Sequence, residues 1–155
     1  MTTTFADYAA QQDARNTIQL NATKWTLMLC DALHQNFIDY DIKNSQKFLK
    51  EASDDDWKNY YHEKIDNLKQ GISTYDFVID SGRKYYKIIM EIDCGPDVRP
   101  SRSVHAFVDK KTGEIYKSAG WKGPAKGVRY DLRIIEQREW LLENADWAGC
   151  YLYAK

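Results

Sequence analysis

The sequence is poor in the residues that hold metal ions or build disulfide frameworks. It contains three cysteines and three histidines in 155 residues, and it has no Cys-x-x-Cys pair. Structural zinc sites need closely spaced cysteine and histidine ligands, so we expect no metal site, and we find no motif for a cofactor. An odd number of cysteines, without a disulfide pattern, is typical of reduced thiols and predicts a cytoplasmic protein.

Long apolar runs are also missing. No stretch approaches the roughly 18 apolar residues of a membrane span, so we expect no membrane association. The opening letters MTTTFADYAA do not show the basic and then apolar pattern of a secretory signal. The composition, 43% apolar and 29% charged, is globular. Because no repeat, low-complexity tract or linker interrupts the chain, we predict a single α+β domain over residues 1–155.

The first part of the chain, residues 1–72, is predicted to be mainly helical. Apolar residues recur at three- and four-residue spacing and predict a helix over about 13–35. The letters NFIDYDIKNS then break this pattern, and a short helix over about 46–52 is expected to follow. A further helix should begin after Ser53, whose side chain is a suitable cap, and end at Gly71.

The hydrophobic period changes to two at Ser73, which predicts strands. Short turns containing glycine join neighbouring strands into hairpins, and Gly113 is expected to have a positive φ in one of them. The helices should cover one face of the sheet. The fold class is therefore α+β, an antiparallel meander of about four strands with N-terminal and C-terminal helices packed on it. The predicted strands, which fall within residues 73–117, cover about 73–80, 84–93, 103–109 and 113–117.

Residues 118–155 are predicted to form a basic loop, a helix over about 132–144 and a tail that packs back. The tail is too apolar to stay in solvent, so we expect Trp147, Tyr151 and Tyr153 to contact the core.

Positive charge is concentrated around that loop. Residues 1–98 carry 11 cations and 16 acidic residues, whereas residues 99–129 carry eight cations and two acidic residues. Such asymmetry can indicate an anionic partner, and the alternative explanation is a solvated hairpin beside acidic helices. Glycine lets a backbone approach phosphate, basic side chains neutralise it, and aromatic rings stack on bases. The candidate ligand-binding residues are Lys117, Trp121, Lys122, Lys126 and Arg129.

The spacing of the glycines limits this hypothesis. The glycine spacing in GWKGPAKGVRY is neither that of a Walker A loop nor that of a dinucleotide fingerprint. A structural alternative therefore stays open, in which the segment only connects two strands and Trp121 is a buried anchor. In a combined form of the hypothesis, Trp121 is buried while the cations reach a ligand.

No catalytic residue emerges from the spacing. Strand alternation places His105 on the same face as Phe107 and Asp109, but His105 and Asp109 are too far apart to touch, and a structural histidine is expected. The run Asp54–Asp56 is explained by the positive end of a helix dipole. Because no nucleophile, metal or cofactor motif is recognisable, we expect that the protein is not an enzyme.

The segment from Val104 to Leu132, VHAFVDKKTGEIYKSAGWKGPAKGVRYDL, resembles small uncharacterised proteins of tailed bacteriophages. Their shared pattern runs His-Ala-Phe-Val-Asp, Lys-Thr-Gly, Tyr-Lys, Trp-Lys and Pro-Ala-Lys-Gly-x-Arg-Tyr, and the closing ADWAGCYLY is also similar. The resemblance covers about the last third of the chain and transfers no catalytic residue. It implies a phage origin, the cytoplasm of a bacterial host cell, and an accessory role.

Two functions follow as expectations. The first is binding of a phosphate-bearing ligand, a nucleotide or nucleic acid, through the basic loop. The alternative is a protein-interaction or structural phage component that has no small ligand and contacts a host protein through its aromatic surface. Salt-dependent binding of nucleic acid would favour the first. The sequence carries no signal for an oligomeric state.

Overall fold

The computed structural model describes residues 4–153. Along the chain, helices precede and follow a five-stranded antiparallel sheet. Its strands lie side by side in the order β1-β2-β3-β4-β5. The predicted α+β meander is confirmed, with five strands in place of about four. The elements are α1 Phe5–Glu51, α2 Asp55–Lys69, β1 Tyr75–Ser81, β2 Tyr85–Ile92, β3 Ser101–Asp109, β4 Glu114–Ser118, β5 Pro124–Asp131, α3 Ile135–Asn144 and a 3-10 helix, Cys150–Tyr153.

The long helix α1 differs from the sequence prediction. It begins at Phe5 rather than near residue 13, and it runs without a break through residues 36–45, where we expected the helix to end. The separate short helix expected over about 46–52 is therefore the last part of α1. No glycine or proline occurs there to stop it, and Phe37, Ile38 and Ser45 continue its buried stripe. Phe37 stacks on Tyr75 of β1, with ring centroids 4.0 Å apart. This tertiary contact stabilises the helix in a segment whose polar residues predicted a break.

The second helix begins one residue later than predicted. Asp54, rather than Ser53, is the N-cap, and its Oδ1 accepts a hydrogen bond of 2.8 Å from the backbone N–H of Asp56. Ile65 and Leu68 are buried. Gly71 follows the helix with φ +83°, the conformation expected at a helix end.

The main core lies between α1, α3 and one face of the sheet, which we call the helix-covered face. In β2 and β3 this face carries Tyr86, Ile88, Ala106 and Val108. The opposite side is the outer face. It carries the alternate residues of these strands, such as Lys87, which pairs with Phe107 across the sheet.

The fifth strand occupies part of the predicted basic loop. Only residues 119–123 remain a loop, because Pro124–Asp131 pairs with β4. Proline is tolerated here since β5 is an edge strand, and Gly127 has φ +98° where the register shifts. The helix predicted from about residue 132 starts at Ile135, because Asp131 Oδ1 accepts from the backbone N–H of Arg133 in a turn before it.

The C-terminal tail packs back as predicted for two of its three aromatic residues. Trp147 meets the ring of Phe37 edge-on at 5.3 Å, and Tyr151 is buried. Tyr153 is 66% exposed, so the prediction that it joins the core is wrong. Its ring lies over an amine instead, 4.0 Å from Lys117 Nζ. The last two residues of the tail lie outside the described residues.

Candidate functional site

Basic side chains from different parts of the chain meet on the outer face. A cavity of about 270 Å³ opens there between the β1–β2 turn, β2 and the loop 119–123. Asp80 is the only acidic residue among the described residues that line it, and its carboxylate also faces Arg102, 3.6 Å away. A cavity with this charge balance concentrates anions. We call it the outer-face cavity; its cations are Arg83, Lys84, Lys87 and Lys122.

None of these four cations forms an ion pair with another described residue. Arg102 differs, because its guanidinium pairs with Glu91, with Nε 3.0 Å from Oε2. Arg102 is therefore already neutralised by its neighbours, while the cavity's own cations stay available to a ligand. Four lysine and arginine side chains in one cavity, without carboxylate partners, can donate hydrogen bonds to the oxygens of a phosphate group.

Aromatic rings lie next to the cavity. Tyr85, which lines it, lies 5.8 Å from the ring of Phe107 and 6.0 Å from that of Tyr116. Lys84 Nζ lies 5.3 Å from the Tyr85 centroid. Phe107 is only 2% exposed and therefore supports the surface without offering a face to a ligand. Tyr85 remains partly exposed, so its ring is open to stacking.

Trp121 is not the buried anchor that we predicted. Its side chain is 47% exposed, and its ring lies 4.5 Å from Lys87 Nζ and 5.8 Å from Arg102 Cζ. The loop does not need an apolar anchor, because polar contacts close it: Ala119 N–H donates to the Gly123 carbonyl at 3.1 Å. Trp121 is therefore a surface ring held by cation–π contacts beside the outer-face cavity.

Of the predicted ligand-binding residues, Lys122 lines the outer-face cavity and Trp121 lies beside it, and the other three lie elsewhere. Lys117 pairs with Ala106 and so lies on the helix-covered face. Lys126 is exposed on β5, and Arg129 is partly buried on the same strand. None of these three lines the outer-face cavity.

Sequence reasoning missed the contribution of the β1–β2 hairpin. Arg83, Lys84 and Lys87 come from the letters RKYYK, in which basic and aromatic residues are interleaved directly after a turn. That short run was a usable signal for a ligand surface. Lys122 lies 35 positions or more further along the chain. The order of the strands brings it next to this run, and no local sequence pattern predicts that contact.

A β-bulge changes the position of His105. The β2–β3 register shifts between Ile88 and Ile89, so His105 has no partner in β2 and turns to the helix-covered face. Our prediction from strict alternation, which placed it with Phe107, is therefore wrong. Its Nε2 lies 2.8 Å from Tyr151 Oη. Burial lowers the pKa of His105 to about 4, against a smaller opposing effect of Asp146, so the ring is neutral at physiological pH.

Within residues 4–153, no three histidine, cysteine, aspartate or glutamate side chains gather as metal ligands would. No helix in the same range combines the length and apolar character needed to cross a membrane.

Comparison with known proteins gives one match. The model of a family of unknown function, DUF7717, matches residues 5–154, nearly the whole chain. No curated protein and no solved structure matches the sequence.

Proposed function

The chain belongs to DUF7717, a family of unknown function, and we propose that it binds a phosphate-bearing ligand, a nucleotide or nucleic acid, on the outer face of its sheet. The observation that carries the proposal is the convergence of Arg83, Lys84, Lys87 and Lys122 on one cavity with a single acidic residue. This placement modifies the sequence hypothesis, because the β1–β2 hairpin contributes three of the four cations and the loop 119–123 contributes one.

In the proposed complex, a phosphate group enters the outer-face cavity. Its oxygens accept charge-assisted hydrogen bonds from the ammonium groups of Lys87 and Lys122 and from the Arg83 guanidinium. Trp121 and Tyr85 lie beside these cations and offer ring faces to a base. Stacking of a base on an aromatic side chain contributes about 1–3 kcal/mol, and it tolerates any base.

The size of the cavity favours nucleic acid over a free nucleotide. Pockets that enclose a small molecule usually measure about 300–1,000 Å³, and the outer-face cavity, at about 270 Å³, is smaller than that range. It has room for a phosphate group but leaves the base outside, on the exposed ring of Trp121. A strand that continues across the surface gains further contacts from such an open arrangement.

Fluorescence anisotropy with labelled single-stranded DNA and RNA of about 12 nucleotides tests the proposal, with ATP and cyclic nucleotides as competitors. Lys87→Gln/Lys122→Gln should weaken binding at least tenfold, since two charge-assisted contacts are lost. The matched control is Lys43→Gln/Lys47→Gln, which removes the same charge from exposed positions on α1. Equal losses in both double variants, or no binding by wild type at low salt, would contradict it.

We also propose, on the resemblance of the Val104–Leu132 segment, that the protein is a phage accessory protein of the bacterial host cytoplasm. Fractionation of infected cells, followed by mass spectrometry, tests this origin. Recovery from purified virions alone would indicate a structural component instead.

A second candidate function is docking of a host protein. The corner between α1 and α2 carries a cluster of four aromatic rings, three of them exposed, whose centroids lie 5.1–6.1 Å from a neighbour. Exposed aromatic clusters are enriched in protein interfaces. The cluster consists of Phe48, Trp57, Tyr60 and Tyr61. If a host protein co-purifies with wild type and not with Trp57→Ser/Tyr60→Ser, this function is favoured; equal recovery with both contradicts it.

A further inference from the structure

A second cavity opens on the helix-covered face, at the end of the sheet. It measures about 440 Å³, within the size range of small-molecule sites. β3, β4, the start of the loop 119–123 and the C-terminal segment all contribute to its lining. The polar and aromatic side chains in its lining are Ser103, His105, Lys117, Ser118, Trp147 and Tyr153.

Two departures from regular backbone shape this cavity. The β2–β3 bulge turns His105 onto its wall, and bulges commonly re-aim a side chain at functional sites. Gly149 has φ +82°, and a Cβ at that position would lie 3.5 Å from His105 Cε1. That distance is an ordinary contact, so it is the positive φ that favours glycine at the point where the C-terminal segment meets the imidazole.

The electrostatics of the cavity favour a single negative charge. Lys117 is the only charged residue among the described residues that line it. His105 is neutral, and its Nε2 faces the Tyr151 hydroxyl at 2.8 Å. Because a buried hydroxyl needs an acceptor, we assign the donor role to Tyr151, which leaves the ring proton of His105 on Nδ1. Ser103 adds a hydroxyl donor, whereas the hydroxyl of Ser118 already donates to the Gly120 carbonyl at 2.9 Å.

The walls of the cavity favour a flat, apolar ligand body. Trp147 is held in place by ring contacts with Phe37 at 5.3 Å and with Tyr75 at 5.8 Å. Tyr153 lies on another side with Lys117 Nζ 4.0 Å from its ring centroid. A rigid tryptophan, a tyrosine and one amine match a planar ring that carries one anionic group.

We propose that this cavity is a separate site for a small aromatic carboxylate, which Lys117 and the hydroxyl of Ser103 bind at its charged end and Trp147 and Tyr153 at its ring. The site does not depend on the proposed function, because none of these residues lines the outer-face cavity. Lys117, predicted as a phosphate ligand, takes this different role.

Saturation-transfer NMR and Trp fluorescence titration with indole-3-carboxylate test the site, with indole-3-carboxamide and inorganic phosphate as comparison probes. Loss of a charge-assisted hydrogen bond should weaken carboxylate binding about tenfold in Lys117→Gln, while Lys117→Arg retains most of it. Lys111→Gln, an exposed neighbour in the β3–β4 turn, is the control. The carboxamide should bind wild type at least tenfold more weakly than the carboxylate.

Several results would overturn the proposal. These are equal binding of carboxamide and carboxylate, an unchanged affinity in Lys117→Gln, binding of phosphate alone, or no binding at millimolar concentration. Lys87→Gln/Lys122→Gln should bind the carboxylate as well as wild type does, and a loss there would assign the binding to the outer face instead. If Lys117→Gln does not fold, the indole N–H resonance of Trp147 in wild type must still shift when the carboxylate is added.

Discussion

Acid should destabilise the folded protein through His105 as the pH falls below about 6.5. The pKa of His105 falls from 6.5 to about 4 on folding because the partly buried ring is desolvated, and Asp146 opposes this only in part. A histidine with a lowered folded pKa binds its proton more readily in the unfolded chain. Its contribution to stability is therefore complete above about pH 6.5 and is lost as the pH falls from there towards about 4.

The size of this effect follows from the two pKa values. With 6.5 in the unfolded chain and about 4 in the folded protein, the free energy of unfolding should fall by about 0.8 kcal/mol between about pH 7.5 and 6. By about pH 5 the loss should reach about 2 kcal/mol. Such a loss is a substantial part of the roughly 5–15 kcal/mol that stabilises an ordinary domain.

Urea unfolding at these three pH values, followed by Trp fluorescence, measures the effect. His105→Gln removes the titrating ring and keeps an amide that can bond Tyr151, so its stability should be lower overall but about 2 kcal/mol less dependent on pH. His34 and His62 are present in both proteins, and their contributions cancel. Parallel pH profiles for wild type and His105→Gln would refute the assignment of a partly buried, neutral His105.

Three further changes test the packing. Gly113→Ala should cost about 1 kcal/mol or more in urea unfolding, because Gly113 has φ +76° and a Cβ there would lie 3.4 Å from Leu132 Cβ; an unchanged midpoint would contradict the turn. Cys30 should resist a thiol reagent in the native protein while exposed Cys94 reacts, because burial raises the pKa of Cys30 to about 12; equal labelling rates would count against this core. Phe107→Ala should cost about 3–5 kcal/mol, since Phe107 is 2% exposed, and a loss below about 1 kcal/mol would show that the outer face is loosely packed.

The sheet could be predicted from the sequence because its signal is local. Alternating side chains around Phe77 and Ile88 mark strands directly, and Gly113 marks a hairpin turn that the structure confirms with φ +76°. The continuity of α1 could not be predicted in this way. It depends on the contact between Phe37 and Tyr75, two residues 38 positions apart, which no local periodicity records.

The ligand-binding candidates show the same limit more sharply. Trp121 and Lys122 were visible in a basic, glycine-rich segment, but their neighbour Lys87 reaches them only through the order of the strands. The bulge that turns His105 to the helix-covered face adds one residue to β3 and leaves no mark in the alternation of apolar side chains. Tertiary pairing, and not composition, thus decides which cations share a surface.

The salt dependence of oligonucleotide binding tests the central claim most directly. Each phosphate contact contributes about −0.7 to the slope of log K against log salt for a single strand. If Lys87 and Lys122 both contact phosphates, Lys87→Gln/Lys122→Gln should lower the magnitude of that slope by about 1.4, while Lys43→Gln/Lys47→Gln should leave it unchanged. A slope that is the same in wild type and Lys87→Gln/Lys122→Gln would contradict the proposal that the outer-face cavity binds phosphate.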